Sequence, residues 1–448
     1  MSSTAIINAI IFTVDEKNSV YRNGSIVFSG TVITAVGSSD SVTIPEGAIV
    51  VDGKGTLVVL PGLIDVHSHS SLLKGFSENL PFLNWLPEYQ REHKVLNEDD
   101  AYWAFMISYL EALKGGTTCV LDMYRLMHMG VKAASTLGMR VNLAPYVGDM
   151  ENSYFETLDA TEKLIQDYHN SHDGTVRIFV GLEHLFYCTE ATFRRAKGIA
   201  DKYQTYLHTH SSEFEAEVIE VVKHFGKRPI QLFNEYGILG PTTIIAQCFW
   251  LDESEMNLMK DNDCRIAHCP ISNVKLGGGT MKLRDIKSRG IKVGLGTDGS
   301  ISNNSLSMFE MMKFGSLLQK NLYLDATELD AYKVLRMATI DGAAVLGLDH
   351  LVGSLEVGKK ADIITVDLWR PHLLPVAATA EHDPVLWNIV YAARASDVNH
   401  VWVNGKHVIA DGRSTQVNED DVLKAVHDQT VSLLQRREST TSTNFINK

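Results

Sequence analysis

Between Leu63 and Gly299 the sequence alternates, eight times over, between a short apolar segment and, in most cases, a helical pattern. The segments are LIDVHSH, TCVLDMY, RVNLAPYV, RIFVGLEH, TYLHTHSS, TIIAQCFW, RIAHCPIS and KVGLGTDG. Nearly continuous apolar strands joined by helices read as the strands of a parallel sheet buried on both faces. The class is therefore α/β, and eight is the number of strands that closes a (β/α)8 barrel. An open doubly wound sheet satisfies the same alternation and stands as the alternative.

The flanks carry a different pattern. Residues 4 to 60 hold β-branched runs broken by Gly, Asn and Asp, namely AIINAIIFTV, GSIVFSGTVITAVG and AIVVDGKGTLVVLPG. After ELDAYKVLRMATIDGAAVLG, strands return as ADIITVD, HVWVNG and KHVIADG. Residues 1–60 plus 361–415 are therefore expected to form a composite β-sandwich beside a barrel of residues 61–360. Residues 416–448 are expected to form an amphipathic helix, VLKAVHDQTVSLLQRRE, with a frayed polar tail. Within the barrel region, Asn97 and Asp100 have the spacing of a capping box, and Gly115 and Gly116 end the helix that they start.

The formal net charge is −13, and Lys and Arg are nowhere concentrated. That excludes the electrostatic footprint of a nucleic-acid or anionic-membrane binder. The five cysteines (Cys119, Cys188, Cys248, Cys264 and Cys269) form no C-x-x-C pair and mostly sit in apolar runs. They read as buried free thiols of a reducing compartment. The N-terminal segment lacks the pattern of a signal peptide, and no apolar run reaches spanning length. The expectation is a cytoplasmic protein, a homodimer or homotetramer, with a small-molecule partner only.

Chemistry-bearing residues cluster at the ends of the predicted strands. His67 and His69 lie two apart at the end of the first strand, so both rings point to one side. His210 ends the fifth strand and Asp298 the eighth, the positions where barrel enzymes place catalytic groups. Three imidazoles and one carboxylate suit a divalent metal, zinc best, with iron, manganese or cobalt also fitting. Glu213, three residues past His210, can reach over such an ion and shuttle protons, or it is a helix-start acid favoured by the dipole. His268 ends the seventh strand and is either a substrate contact or a core-edge histidine bonded to backbone. His208, two before His210, reads as a satisfied core histidine. Trp85, in the long connection after the first strand, either covers a planar substrate or simply packs.

PGLIDVHSH, LHTHSSE, RIAHCPISNVKL, VGLGTDGSISN, MATIDGAAVLG and GSLEVGKKADIITVD resemble the signature segments of the amidohydrolase superfamily. The branch they are most similar to contains triazine hydrolases, S-adenosylhomocysteine and methylthioadenosine deaminases, and guanine-type deaminases. The resemblance spans nearly the whole chain. It implies the barrel, a flanking sandwich and a single metal held by His67, His69, His210 and Asp298. It makes Glu213 the proton shuttle and Asp298 a second acceptor, taking a proton from the attacking water. It also implies hydrolytic loss of ammonia, an amine or halide from a heteroaromatic carbon, with Asn303 among the substrate contacts.

Two departures stand out. The sixth-strand segment of the family carries a water-polarising histidine where this chain has Gln247. An amide orients water but takes up no proton near neutrality. Gln247 thus leaves open a retuned hydrolysis, a metal-dependent lyase or dechlorinase, or a lapsed ligand-binding relative. Second, nucleoside deaminases of the branch carry an acid in the loop after WL, where His93 stands here beside Glu92. They end the fourth strand in a histidine, where Glu183 stands beside His184, and use arginines that RVNLAPYVGDM lacks. These differences weigh against S-adenosylhomocysteine or methylthioadenosine. Glu183 facing the site favours a cationic, amidine-like or amino-substituted substrate, unless it pairs with an Arg or Lys.

Overall fold

The computed structural model describes residues 3–149, 154–379 and 382–439. The predicted frayed tail lies, from residue 440 on, outside the described residues. The two β-rich ends of the chain meet in one nine-stranded sheet. Its first five strands are β1 (Ser3–Phe12), β2 (Val20–Ser29), β3 (Val32–Ser38), β4 (Ile49–Asp52) and β5 (Leu57–Pro61).

Ten short strands follow: β6 (Leu63–His69), β7 (Thr117–Tyr124), β8 (Arg140–Pro145), β9 (Val176–Ile178), β10 (Val180–Gly181), β11 (Leu207–Ser211), β12 (Thr243–Gln247), β13 (Arg265–His268), β14 (Lys292–Leu295) and β15 (Asp298–Gly299). They form two five-stranded parallel sheets, ordered β15-β6-β7-β8-β9 and β10-β11-β12-β13-β14. The predicted fourth and eighth strands are each split in two, so that one half belongs to each sheet. Only Phe179 separates β9 from β10; its N–H donates to Leu143 O, while the Val180 N–H donates to Tyr206 O. At the other junction the Gly296 N–H donates to His268 O, and Asp298 pairs with Ser68. A Cβ at Gly296 would lie 2.9 Å from His67 O, so this crossing beneath His67 needs a glycine.

The remaining strands, β16 (Ile363–Asp367), β17 (Val398–Val403), β18 (Lys406–Ala410) and β19 (Arg413–Ser414), complete the large sheet in the order β19-β18-β17-β16-β5-β1-β2-β3, with β4 on β1. Ile6, Ile11, Phe28, Val59, Ile363 and Trp402 form its own apolar core. The remaining core is continuous through the parallel sheets and their helices. Arg140 on β8 and Asp362 beside β16 join the two regions by a buried bidentate pair at 2.8 and 2.9 Å.

The capping box predicted at Asn97 is present: the Asp100 N–H donates to Asn97 Oδ1 and the Asn97 N–H to Asp100 Oδ2, starting the helix Glu98–Lys114. The final helix is also present, as Glu419–Glu438. One correction concerns the connection after β6. Its segment around WLPEYQREHK is a helix, Phe82–Val95, despite Pro87 within it, because its apolar and aromatic residues recur at helical spacing against the core. All five cysteines are buried and unpaired. Among the described residues, no helix is long and apolar enough to cross a membrane.

Candidate metal centre and the cavity above it

His67 and His69 leave the end of β6 on the same side, and His210 rises from β11. Each ring is fixed through Nδ1. That of His67 faces His208 Nε2 at 2.8 Å, that of His69 faces Met123 O at 2.6 Å, and that of His210 faces Glu183 O at 2.8 Å. All three Nε2 atoms are thereby turned to one point. His210 Nε2 lies 3.1 Å from His67 Nε2 and 3.2 Å from His69 Nε2, and Asp298 Oδ1 is 3.4 Å from both of the latter. Donors at about 2.0–2.1 Å on a tetrahedral ion stand about 3.3–3.4 Å apart. The donor set and its spacing therefore fit a divalent cation, and the three histidines are buried together as a group able to hold one.

The electrostatics agree. Burial pushes two of these imidazoles toward the neutral, ligating form: His69 falls to about 4, and His210 is held well below the usual range. Burial alone would raise the Asp298 carboxyl, but the His67 hydrogen bond and the facing His67 and His69 rings hold it well below the ordinary carboxylate range. Asp298 keeps a left-handed backbone at φ 62°. Behind it, Asp65 accepts from Thr297 Oγ1 at 2.5 Å and from the Thr297 and His67 N–H groups, tying the end of β6 to the turn that delivers Asp298.

A cavity opens over this point. Its wall includes Trp85, Tyr89, Tyr146, Phe186, Leu276 and Ile301 on the apolar side, and Glu183, Glu213, Gln247 and Asp298 on the polar side. No Lys or Arg stands among its described lining residues. Burial, followed by the charges of Asp298, Glu217 and Glu183, pushes the Glu213 carboxyl well above its usual range. Gln247 Nε2 donates to Asp298 Oδ2, while its Oε1 is buried without a partner. Glu183 pairs with neither Lys nor Arg: Oε1 accepts from Tyr146 OH at 2.9 Å, Oε2 has no hydrogen bond, and burial lifts the carboxyl to about 7.

The predicted site residues divide into two groups. His67, His69, His210, Asp298, Glu213, Gln247, Glu183 and Trp85 come together, with Trp85 stacked on Tyr89 at 5.1 Å. His93, Asn303 and His268 do not line the cavity. His93 is buried with its ring stacked on Tyr146 at 5.0 Å, because the helix Phe82–Val95 turns it toward the core. The Asn303 amide donates to Thr297 O and Ser305 O, both at 2.7 Å, and so braces the turn after Asp298. The His268 ring packs against Phe249 with neither nitrogen hydrogen-bonded, which corrects the backbone-bonded alternative.

Sequence reasoning missed several contributors. His208 is more than a core histidine, since it sets the His67 ring while its own Nδ1 faces Ile244 O. Glu217 accepts from the Ser212 and Glu213 N–H groups at 2.8 and 2.7 Å and lies 3.0 Å from His184, so it holds the turn carrying Glu213. Its signal was the i+4 spacing from Glu213. Tyr89 stands i+4 from Trp85 and could have been found the same way.

Comparison with known proteins bears on this arrangement directly. The family pattern described as "Amidohydrolase family" matches residues 58–408. A 5-methylthioadenosine/S-adenosylhomocysteine deaminase of Syntrophobacter fumaroxidans is 36% identical over 94% of this chain and 96% of its own length. A 5'-deoxyadenosine deaminase of Methanothermobacter thermautotrophicus is 34% identical over 90% and 93%. Among solved structures, a zinc-bound adenosine deaminase from Xanthomonas campestris superimposes with a TM-score of 0.90 at 26% identity, covering 98% of this chain and 99% of that one. An atrazine chlorohydrolase from Arthrobacter aurescens, complexed with zinc, gives a TM-score of 0.87 at 23% identity over 96% and 100%, a likeness of fold. On this sequence match, with the histidine cluster at the strand ends, the chain belongs to the amidohydrolase family.

Proposed function

We propose that this protein is a metal-dependent aminohydrolase that releases ammonia from a small nitrogen heterocycle. The convergence of His67, His69 and His210 Nε2 with Asp298 Oδ1 beneath a cavity that also holds Glu213 carries the reading. Zinc best matches the donor set, and zinc is bound in the similar adenosine deaminase. His67, His69, His210 and Asp298 would hold a divalent ion, which would supply Lewis acidity to the attacking water.

The chain's own groups divide the remaining work. Asp298, ionised beside two imidazoles, accepts a proton from the attacking water. Glu213, held protonated by burial and like charge, delivers that proton to a ring nitrogen; it then takes the second proton of the former water from the new hydroxyl and passes it to the departing amine, and the proton held by Asp298 returns Glu213 to its acid form. Gln247 orients the water with its amide but exchanges no proton. Trp85 and Tyr89 cover the ring face, and the free Glu183 Oε2 accepts a substrate N–H.

The wall also limits the substrate. Carboxyl groups with no lining Lys or Arg disfavour a phosphate or carboxylate on the ligand. The names of the relatives point to an adenine-type ring. An uncharged nucleoside of the 5'-deoxyadenosine type satisfies both, and S-adenosylhomocysteine, with its amino-acid carboxylate, is the poorer match.

The accompanying architecture is a closed eight-stranded barrel over residues 61–360, with residues 1–60 and 361–415 as a small sandwich and the helix Glu419–Glu438 after it. The unpaired thiols support a reducing, cytoplasmic setting. Exposed Phe314, Leu317 and Trp387 support a homodimer or homotetramer. A screen of amino-heterocycles for ammonia release, with metal content measured on the same sample, tests the function. Solvent ¹⁸O in the product is expected; its absence from a converted product would indicate elimination, and metal with ligand binding but no turnover would indicate a lapsed enzyme.

A further inference from the structure

The helix Phe82–Val95 serves two sides of the molecule. Trp85, Leu86 and Tyr89 line the cavity, while polar contacts come from Glu88, Arg91, Glu92 and Gln90, whose amide donates to Tyr187 OH at 2.8 Å. Glu92 is fully buried, and its carboxyl accepts from Ser71 Oγ at 2.8 Å and from Tyr124 OH at 2.5 Å. It thus grips the segment just past His69 and the residue after Met123, whose carbonyl fixes the His69 ring.

Glu88 faces the C-terminal helix, Glu419–Glu438. Its Oε1 accepts from Arg437 Nη2 at 2.6 Å and from Arg91 Nη1 at 2.7 Å. Arg437 also donates to Glu88 O, and Arg91 Nη2 returns a bond to Arg437 O at 3.1 Å. Next to it, Arg436 reaches the buried Asp100 at 2.5 Å, and Gln429 donates to the same carboxyl at 2.6 Å. The C-terminal helix is therefore anchored on the helix Glu98–Lys114 and clasps the cavity wall through Arg437. Pro87 has no N–H to give the wall helix, which weakens it next to Glu88 and makes side-chain anchors count for more.

We infer that Arg437 is a positioning residue for substrate binding: by holding Glu88 it keeps Trp85 and Tyr89 against the cavity. Without it the wall helix samples open positions, and the substrate loses its stacking face before any reacting group is disturbed. The inference rests on the proposed function only for the substrate used in the kinetic assay.

The test compares Arg437→Ala and Arg437→Lys with the wild type as full-length, metal-loaded proteins, using 5'-deoxyadenosine as the probe. Arg437→Ala is expected to raise KM about tenfold with kcat within about twofold, the signature of lost binding that ground state and transition state share. Amide hydrogen exchange should quicken over residues 82–95 and not over β11, and Arg437→Lys should recover part of both effects. Unchanged KM and exchange would overturn the inference. So would an equal fall in kcat with faster exchange throughout the chain, which marks a general structural role. If the wild type releases no ammonia from 5'-deoxyadenosine, that result counts against the proposed function, while exchange over 82–95 still decides the role of Arg437.

Discussion

Gln247 Nε2 donates to Asp298 Oδ2 across 3.3 Å, and both residues hold left-handed backbone, at φ 77° and 62°. Such conformations cost about 1–3 kcal/mol each and persist where surrounding structure imposes them. Here they turn two strand ends toward each other, so that an amide, rather than a base, stands beside the aspartate. Gln247→Leu removes the donor and the water contact without adding charge. Its kcat should fall about 100-fold with metal content unchanged, the scale of one lost preorganised donor. Metal analysis and steady-state rates on one preparation check this.

Glu213→Gln should lower kcat about 1,000-fold, within the range of general acid–base catalysis, while metal remains bound. Since Glu213 is buried among like charges, its neutral amide should leave the melting temperature equal or higher. Near-normal turnover would remove Glu213 from the proton path.

Chelation should abolish activity, and zinc should restore it. His208→Ala should weaken metal affinity about 10–100-fold, as expected when a partner orienting a ligand is lost. Competition with a chromogenic chelator measures the difference.

The His184–Glu217 pair predicts a pH window. Burial opposes both charges, but each partner wins: His184 is raised from 6.5 and Glu217 lowered from 4.5. The Glu217 contribution to stability is complete above its ordinary 4.5 and is lost as pH falls through its depressed native value. The His184 contribution is complete below 6.5 and is lost as pH rises through its raised native value. The pair is thus at full strength from about pH 4.5 to 6.5. Glu217→Gln should cost about 3 kcal/mol in that window and lower kcat by loosening the Glu213 turn. Melting curves of both proteins between pH 4 and 9 would refute this if they ran parallel.

Arg140→Ala should destabilise the protein by about 3–5 kcal/mol, because it strands Asp362 as an uncompensated buried charge. Denaturant titration measures it, and metal affinity should be unaffected since the pair lies between the outer sheet and β8.

Much of this was legible in the sequence, for physical reasons that differ by residue. His67 and His69 could be read because strand periodicity puts i and i+2 on one side, and Asp298 because its segment ends a predicted strand. Gln247 was readable because one position departs from a familiar segment. His93 and Asn303 stand outside the cavity lining because their directions depend on tertiary packing: the helix Phe82–Val95 turns one inward, and two backbone carbonyls claim the other. Glu217 was overlooked although its spacing from Glu213 pointed to it, and His208 escaped because it acts through a neighbour, for which strand patterns carry no signal.

The large sheet seats β16 between β5 and β17, so the opening segment of the chain waits for a neighbour about three hundred residues downstream. On a ribosome, β1–β5 emerge well before β16, with an edge at β5 that stays open until residue 367 is free to dock. Docking of β16 thus waits until every strand of the two parallel sheets has been made, and a ribosome-bound nascent chain halted before β16 should present that edge to chaperones.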